Sequence, residues 1–228
     1  MKAPSLLLTR PSHDMKLEQR IAFENVFKSA GTGRLLDYQL PYPKWQFLSY
    51  FCDARAVVLH GSQNQEINIV EPRQASDIRA FSNQKAIYAT TDGIWVIYFA
   101  ILDRKKYTNM SLFNSCMQTR IPGNQLSEPM YFFSITNSVL LQKPWGDGMI
   151  DILPRQSFIQ ETPQQIQGME VIFPHWISST PSSPIAKIKV SPEDFPFLSQ
   201  IHGHNDEKLI QLTAVDPNGF PWPEALES

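Results

Sequence analysis

Three short apolar runs, each carrying polar residues at defined positions, organise the chain. The first, residues 57–62, is apolar and β-branched until it ends in a histidine, a glycine and a serine. The second run spans residues 86–92 and the third spans residues 168–173. Because the first run is almost continuously apolar, it predicts a strand that is buried on both faces. A fold that brings the three runs together would place their polar residues in one site.

Helical spacing occurs in two further stretches. Apolar residues recur on one face between Asp14 and Ser29, which predicts an N-terminal helix that ends at residues 30–33, where two glycines stand. Asp92 is placed to cap a second helix over residues 93–104. This second helix is apolar on several sides and is therefore predicted to be largely buried.

Short elements account for the rest of the chain. Eighteen prolines against ten glycines favour many short elements over long helices. Further strands are predicted at 129–134, 139–141, 149–153, 158–159, 171–173 and 185–190, a short helix at 45–51, and a polar irregular stretch at 105–128. These elements predict an α+β fold, in which residues 1–44 form an arm and a helix ahead of a main domain over residues 45–228.

Composition narrows the function classes. The net charge of −2 provides no overall field that would attract nucleic acid or an anionic membrane. No apolar run approaches the roughly 18 residues of a membrane span, and residues 6–8 are too short for a secretory signal. Cys52 and Cys116 lack metal-ligand spacing and predict free thiols in a reducing compartment. The histidine-containing stretch 201–206 predicts a solvated loop without metal. We expect a cytoplasmic protein.

Each polar residue of the three runs has a structural explanation beside a chemical one. His60 is either a core histidine bonded to backbone or a ligand-binding group, and Ser62 is either a turn residue or part of the same site. Gly61 permits close approach of a ligand to its amide and carbonyl. Tyr88 is a residue type that strands favour. Glu170 enters an apolar strand, where a carboxylate needs a partner unless an edge position leaves it in water.

Taken together, the runs resemble the motifs of the ADP-ribosyltransferase superfamily, in the His-Tyr-Glu branch that contains the poly(ADP-ribose) polymerases and diphtheria toxin. The matching residues are Leu59-His60-Gly61-Ser62, Ile87-Tyr88-Ala89-Thr90 and Glu170-Val171-Ile172-Phe173. The motif residues are separated by 28 positions (60 to 88) and 82 positions (88 to 170). The resemblance covers residues 45–190 and implies a split β-sheet core of two packed antiparallel sheets.

The resemblance also implies a chemistry, with NAD⁺ as co-substrate and no metal. It implies that His60 binds the adenosine-side ribose, that Gly61 binds the nicotinamide carboxamide, and that Tyr88 stacks on the nicotinamide ring. The further residues implied as cofactor contacts are Ser62, Thr90 and Tyr98. Glu170 would act catalytically, by stabilising the positive charge that builds on the ribose as the bond to nicotinamide breaks.

Several alternatives stay open. The implied activity is that of a mono-ADP-ribosyltransferase or an NAD⁺ glycohydrolase, with an acceptor that the sequence does not name, and a non-catalytic NAD⁺ or ADP-ribose binding module is the competing hypothesis. Glu161 and Asp151 compete with Glu170 for the third motif position. Packing in the core explains Tyr98 better than a place in the nicotinamide pocket does. His175 follows the third run and is a weaker candidate for the same cleft.

Overall fold

The computed structural model describes residues 6–30, 33–75, 80–166, 168–216 and 219–227. Its helices are α1 (Leu17–Ala30), α2 (Lys44–Ala54), α3 (Gly93–Ile101), α4 (Asn137–Leu140) and α5 (Asp206–Val215). Its strands are β1 (Leu8–Thr9), β2 (Arg34–Leu35), β3 (Val57–Ser62), β4 (Arg73–Gln74), β5 (Lys85–Thr90), β6 (Leu112–Ile121), β7 (Gln125–Leu126), β8 (Met130–Thr136), β9 (Gly148–Pro154), β10 (Ile159–Gln160), β11 (Gln164–Ile166), β12 (Met169–Ile172), β13 (His175–Ser178), β14 (Ala186–Val190), β15 (His202–His204) and β16 (Leu226–Glu227). The predicted α+β class is confirmed.

The strands form two sheets. The first has the order β10-β13-β5-β3-β9-β14-β2, with β4 also paired to β5, and the second has the order β11-β12-β6-β8-β15-β16, with β1 on β8 and β7 on β6. The pairs β14–β2 and β15–β8 are parallel, whereas the others are antiparallel. The sheets are therefore mixed rather than purely antiparallel, and the two strands that carry the first two motifs, β3 and β5, are direct neighbours.

Helix α3 lies between the two sheets. On one side, a Cβ atom added at Gly61 of β3 would stand 2.6 Å from the carbonyl oxygen of Val96, so the helix backbone lies directly on β3. On the other side, the ring of Tyr98 packs 4.7 Å from the ring of Phe133 on β8. The helix is apolar on all sides because both of its faces are covered. Its predicted burial is confirmed.

Asp92 fixes where α3 begins. One carboxylate oxygen accepts hydrogen bonds from the backbone N–H groups of Ile94 and Trp95, at 2.9 and 2.7 Å, as the predicted N-cap requires. The other oxygen accepts from Arg10 at 2.6 Å and from the Tyr131 hydroxyl at 2.8 Å. Arg10 belongs to the N-terminal arm and Tyr131 to the second sheet. One buried carboxylate therefore joins the arm, the second sheet and helix α3.

Some local predictions are corrected. Residues 112–121, expected to be irregular, form the long strand β6, and residues 139–141, expected to be a strand, fall at the end of α4. The stretch 201–206, expected to be a solvated loop, contains β15, in which His204 is buried. Within the described part of the chain, no helix combines the length and the apolar character that a membrane span needs.

Candidate functional site

The side chain of His60 on β3 contacts the main chain of Tyr88 on β5. The Nδ1 atom of His60 donates a hydrogen bond of 2.8 Å to the main-chain carbonyl oxygen of Tyr88. Because a carbonyl oxygen can only accept, Nδ1 carries the proton, and Nε2 keeps its lone pair when the ring is neutral. Burial lowers the pKa of His60, which favours the neutral ring. A structural histidine makes this kind of bond to backbone, and the bond also fixes the ring in one orientation.

The strands β3 and β5 separate directly after this contact. β3 pairs with β9 along its full six residues, but it pairs with β5 only where Leu59 faces Thr90. Backbone groups of successive strand residues point to alternate sides. Tyr88 and Thr90 direct theirs toward β3, since the Tyr88 carbonyl meets His60. Gly61, two residues after Leu59, therefore directs its amide and carbonyl into the gap between the strands.

The missing side chain of Gly61 has a packing reason. A Cβ atom at this position would stand 2.6 Å from the carbonyl oxygen of Val96 and 3.2 Å from the amide nitrogen of Ala100, both on the α3 backbone. The sequence suggested that a glycine here admits a ligand. The close approach that the structure contains is that of α3, while the backbone of Gly61 still faces the gap.

The ring of Tyr88 is held rigidly beside the gap. Its hydroxyl donates to the carbonyl of Gln84 at 2.7 Å and accepts from the amide of the same residue at 3.0 Å. The ring is half-buried and lies 5.7 Å from the ring of His175, at an interplanar angle of 32°. A tyrosine anchored through its hydroxyl provides an oriented aromatic surface at little further cost in side-chain entropy.

A buried carboxylate–histidine pair stands behind Tyr88. The Nδ1 atom of His175 donates to a carboxylate oxygen of Glu161 at 3.1 Å, and only 10% and 2% of the two side chains are exposed. The His175 ring also meets the edges of Phe81 and Trp95, at 5.2 and 5.8 Å. The sequence signal for this pair was weak, because a histidine that opens a strand and a glutamate before a Thr-Pro pair are both common in loops.

Glu170 does not lie with this group, which corrects the predicted placement of the third motif. It stands on β12, which pairs with β6 and β11 in the second sheet. Its carboxylate accepts from Arg120 at 3.1 Å, and about a third of each side chain is exposed. On the side away from β3, β5 pairs with β13, in which Ile177 faces Tyr88. The third run was expected to bring Glu170 into one site with the first two, but the place beside β5 belongs to the strand that begins at His175.

The three remaining predicted cofactor contacts have local roles. Tyr98 is fully buried, and its hydroxyl donates to the carbonyl of Ser134 at 3.3 Å, so it offers a ligand no surface and belongs to the core. Thr90 is buried and its hydroxyl accepts from the amide of Asp92 at 3.0 Å. The Ser62 hydroxyl accepts from the amide of Asn64 at 3.0 Å, as in a turn. The predicted site thus reduces to His60, Gly61 and Tyr88.

Asp151 lies in a row of polar side chains that crosses three neighbouring strands from His60 to Lys187. In the sheet register it stands opposite His60 on one side and Lys187 on the other, and these three side chains share one face. Asp151 is fully buried, and neither of its oxygens accepts a hydrogen bond from the residues that the structure describes. Burial raises its pKa to about 6, although Lys187 acts in the opposite direction. The ammonium of Lys187 donates to the carbonyl of Ile67, which ties the loop after β3 over this face.

A cavity of about 300 Å³ opens at the start of α3, with Arg10, Asp92, Thr91, Gln118 and Pro174 among its lining residues. Two of its charged side chains, Arg10 and Asp92, form an ion pair of 2.6 Å. Thr91 and Pro174 directly follow β5 and directly precede β13, so this cavity adjoins the site without containing His60 or Tyr88.

Comparisons of the chain with family models, with curated proteins and with solved structures find no match. Among the described residues, no group of three or more histidine, cysteine, aspartate or glutamate side chains is arranged to hold a metal ion. The site is therefore characterised by its own geometry: a histidine, a backbone amide and carbonyl, and an aromatic ring around a gap between strands, with a carboxylate–histidine pair behind the ring.

Proposed function

We propose that the protein binds NAD⁺ in the gap between β3 and β5 and cleaves the bond between nicotinamide and ribose, passing ADP-ribose to an acceptor or to water. The observation that carries this proposal is the fixed contact between His60 and Tyr88 where the two strands separate. This arrangement leaves the backbone groups of Gly61 directed into the gap. It agrees with the resemblance of the first two motifs to ADP-ribosyltransferases.

Each of the three residues suits one part of NAD⁺. The amide and carbonyl of Gly61 match the donor and acceptor of a planar carboxamide, and such a pair of hydrogen bonds discriminates against analogues that lack one partner. The ring of Tyr88 suits stacking on nicotinamide, worth about 0.5–1.5 kcal/mol beyond burial. Nε2 of His60, free to accept, suits a ribose hydroxyl.

Cleavage of NAD⁺ builds positive charge on the ribose, and a nearby negative charge stabilises that state. Glu170 was expected to supply the charge, but it lies on the second sheet. Glu161 is linked to Tyr88 through one residue: its carboxylate accepts a hydrogen bond from His175, whose ring lies against the ring of Tyr88. We therefore propose that Glu161 takes the place expected of Glu170 and acts through the ring of His175, to which it is hydrogen-bonded.

A non-catalytic NAD⁺ or ADP-ribose binding module is the second candidate. The observation in its favour is that an imidazole, rather than a carboxylate, meets the ring of Tyr88. Under this alternative, the gap binds the dinucleotide and the bond stays intact. Both candidates share His60, Gly61 and Tyr88, and they differ only in whether nicotinamide is released.

The test is to incubate the purified protein with NAD⁺, to quantify free nicotinamide by liquid chromatography, and to measure NAD⁺ binding by calorimetry. We expect release above the buffer rate, and we expect Tyr88→Ala to lower it at least tenfold. Glu170→Gln is the matched control and is expected to keep the parent rate. Binding without release would support the module, and the absence of both binding and release would overturn the proposal.

A further inference from the structure

The pair formed by Glu161 and His175 has the arrangement of a catalytic base. The carboxylate accepts from Nδ1 at 3.1 Å, which places the proton of a neutral ring on Nδ1 and the lone pair on Nε2. Only 2% of the Glu161 side chain is exposed, so its charge is poorly screened by water and holds the ring strongly. Carboxylate–histidine pairs with this polarity remove protons from hydroxyl groups in several unrelated classes of enzyme.

The strand register places this base on the same side of the sheet as Tyr88. His175 faces Thr90 across the β13–β5 pair, and Ile177 faces Tyr88. Thr90 and Tyr88 are two residues apart on one strand, so their side chains share a face, and the His175 side chain shares it with them. The distance of 5.7 Å between the rings of His175 and Tyr88 agrees with this register.

The surroundings of the ring hold it in one orientation. Trp95 of α3 and Phe81, in the short turn Ala80–Ser82, approach it edge-on, with interplanar angles of 76° and 75°. The titratable groups that face the ring in these contacts are Glu161 and Tyr88, and the two aromatic neighbours carry no charge. About a tenth of the His175 side chain remains exposed.

We propose that His175 is the general base that activates the acceptor, with Glu161 as its positioning residue. This proposal rests on the proposed function. The bond between C1′ of the ribose and the nicotinamide nitrogen breaks, and its electron pair leaves with nicotinamide, which becomes neutral. The oxygen of a water or an acceptor hydroxyl forms the new bond to C1′, and its proton passes to Nε2 of His175. The imidazolium that results is stabilised by the carboxylate of Glu161 and returns the proton to solvent.

The test compares nicotinamide release by the parent, His175→Ala and Glu161→Gln over a range of pH, with NAD⁺ affinity measured for each. We expect His175→Ala to lower kcat at least 100-fold, in line with the 10²–10⁴ range of general-base catalysis, while the dissociation constant for NAD⁺ changes less than threefold. The fall in the parent's rate at acid pH should disappear in this variant. Glu161→Gln should lower kcat about tenfold and keep the acid limb.

Addition of imidazole distinguishes a catalytic role of His175 from a purely structural one. Imidazole should restore activity to His175→Ala, by filling the space of the lost ring, and should leave Glu161→Gln unchanged. If the parent releases nicotinamide and His175→Ala matches it in rate and pH profile, or if the variant binds NAD⁺ and imidazole fails to rescue it, this inference is overturned while the proposed function stands. A parent protein that neither binds nor cleaves NAD⁺ would overturn both.

Discussion

Replacing Asp151 by asparagine is expected to remove a pH dependence from the stability of the fold. The Asp151 carboxylate is fully buried between His60 and Lys187, and within the described part of the chain neither oxygen accepts a hydrogen bond. Burial raises its pKa from the ordinary value of 3.8 to about 6, with Lys187 offsetting part of the effect. A buried carboxylate without hydrogen bonds is costly to ionise, so the folded state prefers its protonated form.

The sign and the size of this pH dependence follow from the difference in proton binding between the folded and the unfolded protein. Between pH 3.8 and about 6 the folded protein keeps a proton on Asp151 that the unfolded chain has lost. Stability from this group is therefore fully present below pH 3.8 and is lost as the pH rises through 6. At roughly 1.4 kcal/mol for each pH unit, the difference between the two pKa values corresponds to about 3 kcal/mol of unfolding free energy.

The assay is urea unfolding of the parent and of Asp151→Asn at several pH values from about 3 to 8. We expect the free energy of unfolding of the parent, relative to the variant, to fall by about 3 kcal/mol across this range. Glu170→Gln, at a partly exposed carboxylate, is the matched control and should follow the parent. If Asp151→Asn shows the same pH dependence as the parent, the folded protein offsets the cost of ionising Asp151 and the reasoning is refuted.

Three further predictions concern the packing around α3. Burial raises the pKa of both Cys52 and Cys116, so a thiol reagent should label them only after urea is added, and prompt labelling of the native protein would contradict their burial. Gly61→Ala should lower the free energy of unfolding by roughly 1–3 kcal/mol in urea titrations, because the new methyl group meets the carbonyl of Val96, and an unchanged midpoint would refute that contact. Asp92→Ala should cost roughly 3 kcal/mol by the same assay, because it removes the helix cap and the partner of a buried arginine, and a loss below about 1 kcal/mol would show that neither matters.

The elements with strong local signals could be predicted from the sequence. The apolar run before His60 forms β3, and Asp92 caps α3 as its position and type indicate. The start of α2 falls within one residue of the prediction, since an aromatic run beginning at Trp45 has helical spacing. These features depend on residues that are close together in the chain, where periodicity and capping are informative.

The third motif could not be placed, because strand pairing depends on residues far apart in the chain. The runs that contain Glu170 and His175 are both short and partly apolar, and nothing within either one states which joins β5. The structure gives that position to β13 and turns Glu170 toward Arg120. Which strands pair decides the sheet to which a run belongs, and a register slip of one residue moves all of its side chains to the other face.

Buried polar networks were also hidden from the sequence. His204 stands in a stretch rich in polar residues, yet its ring is buried and contacts the Ser134 hydroxyl at 2.8 Å and the Asp206 carboxylate at 3.0 Å. The composition of such a stretch suggests that it is exposed. Composition does not show that β8 supplies a hydrogen-bond partner for the buried ring. The same limit applies to the pair of Glu161 and His175, which only the fold brings together.

A crystal structure with bound nicotinamide tests most directly whether the gap between β3 and β5 receives the nicotinamide end of NAD⁺. We predict that the carboxamide forms hydrogen bonds with the amide and carbonyl of Gly61 and that the ring stacks on Tyr88. Nicotinamide bound elsewhere with the gap empty, for example in the cavity beside Arg10, would contradict the account.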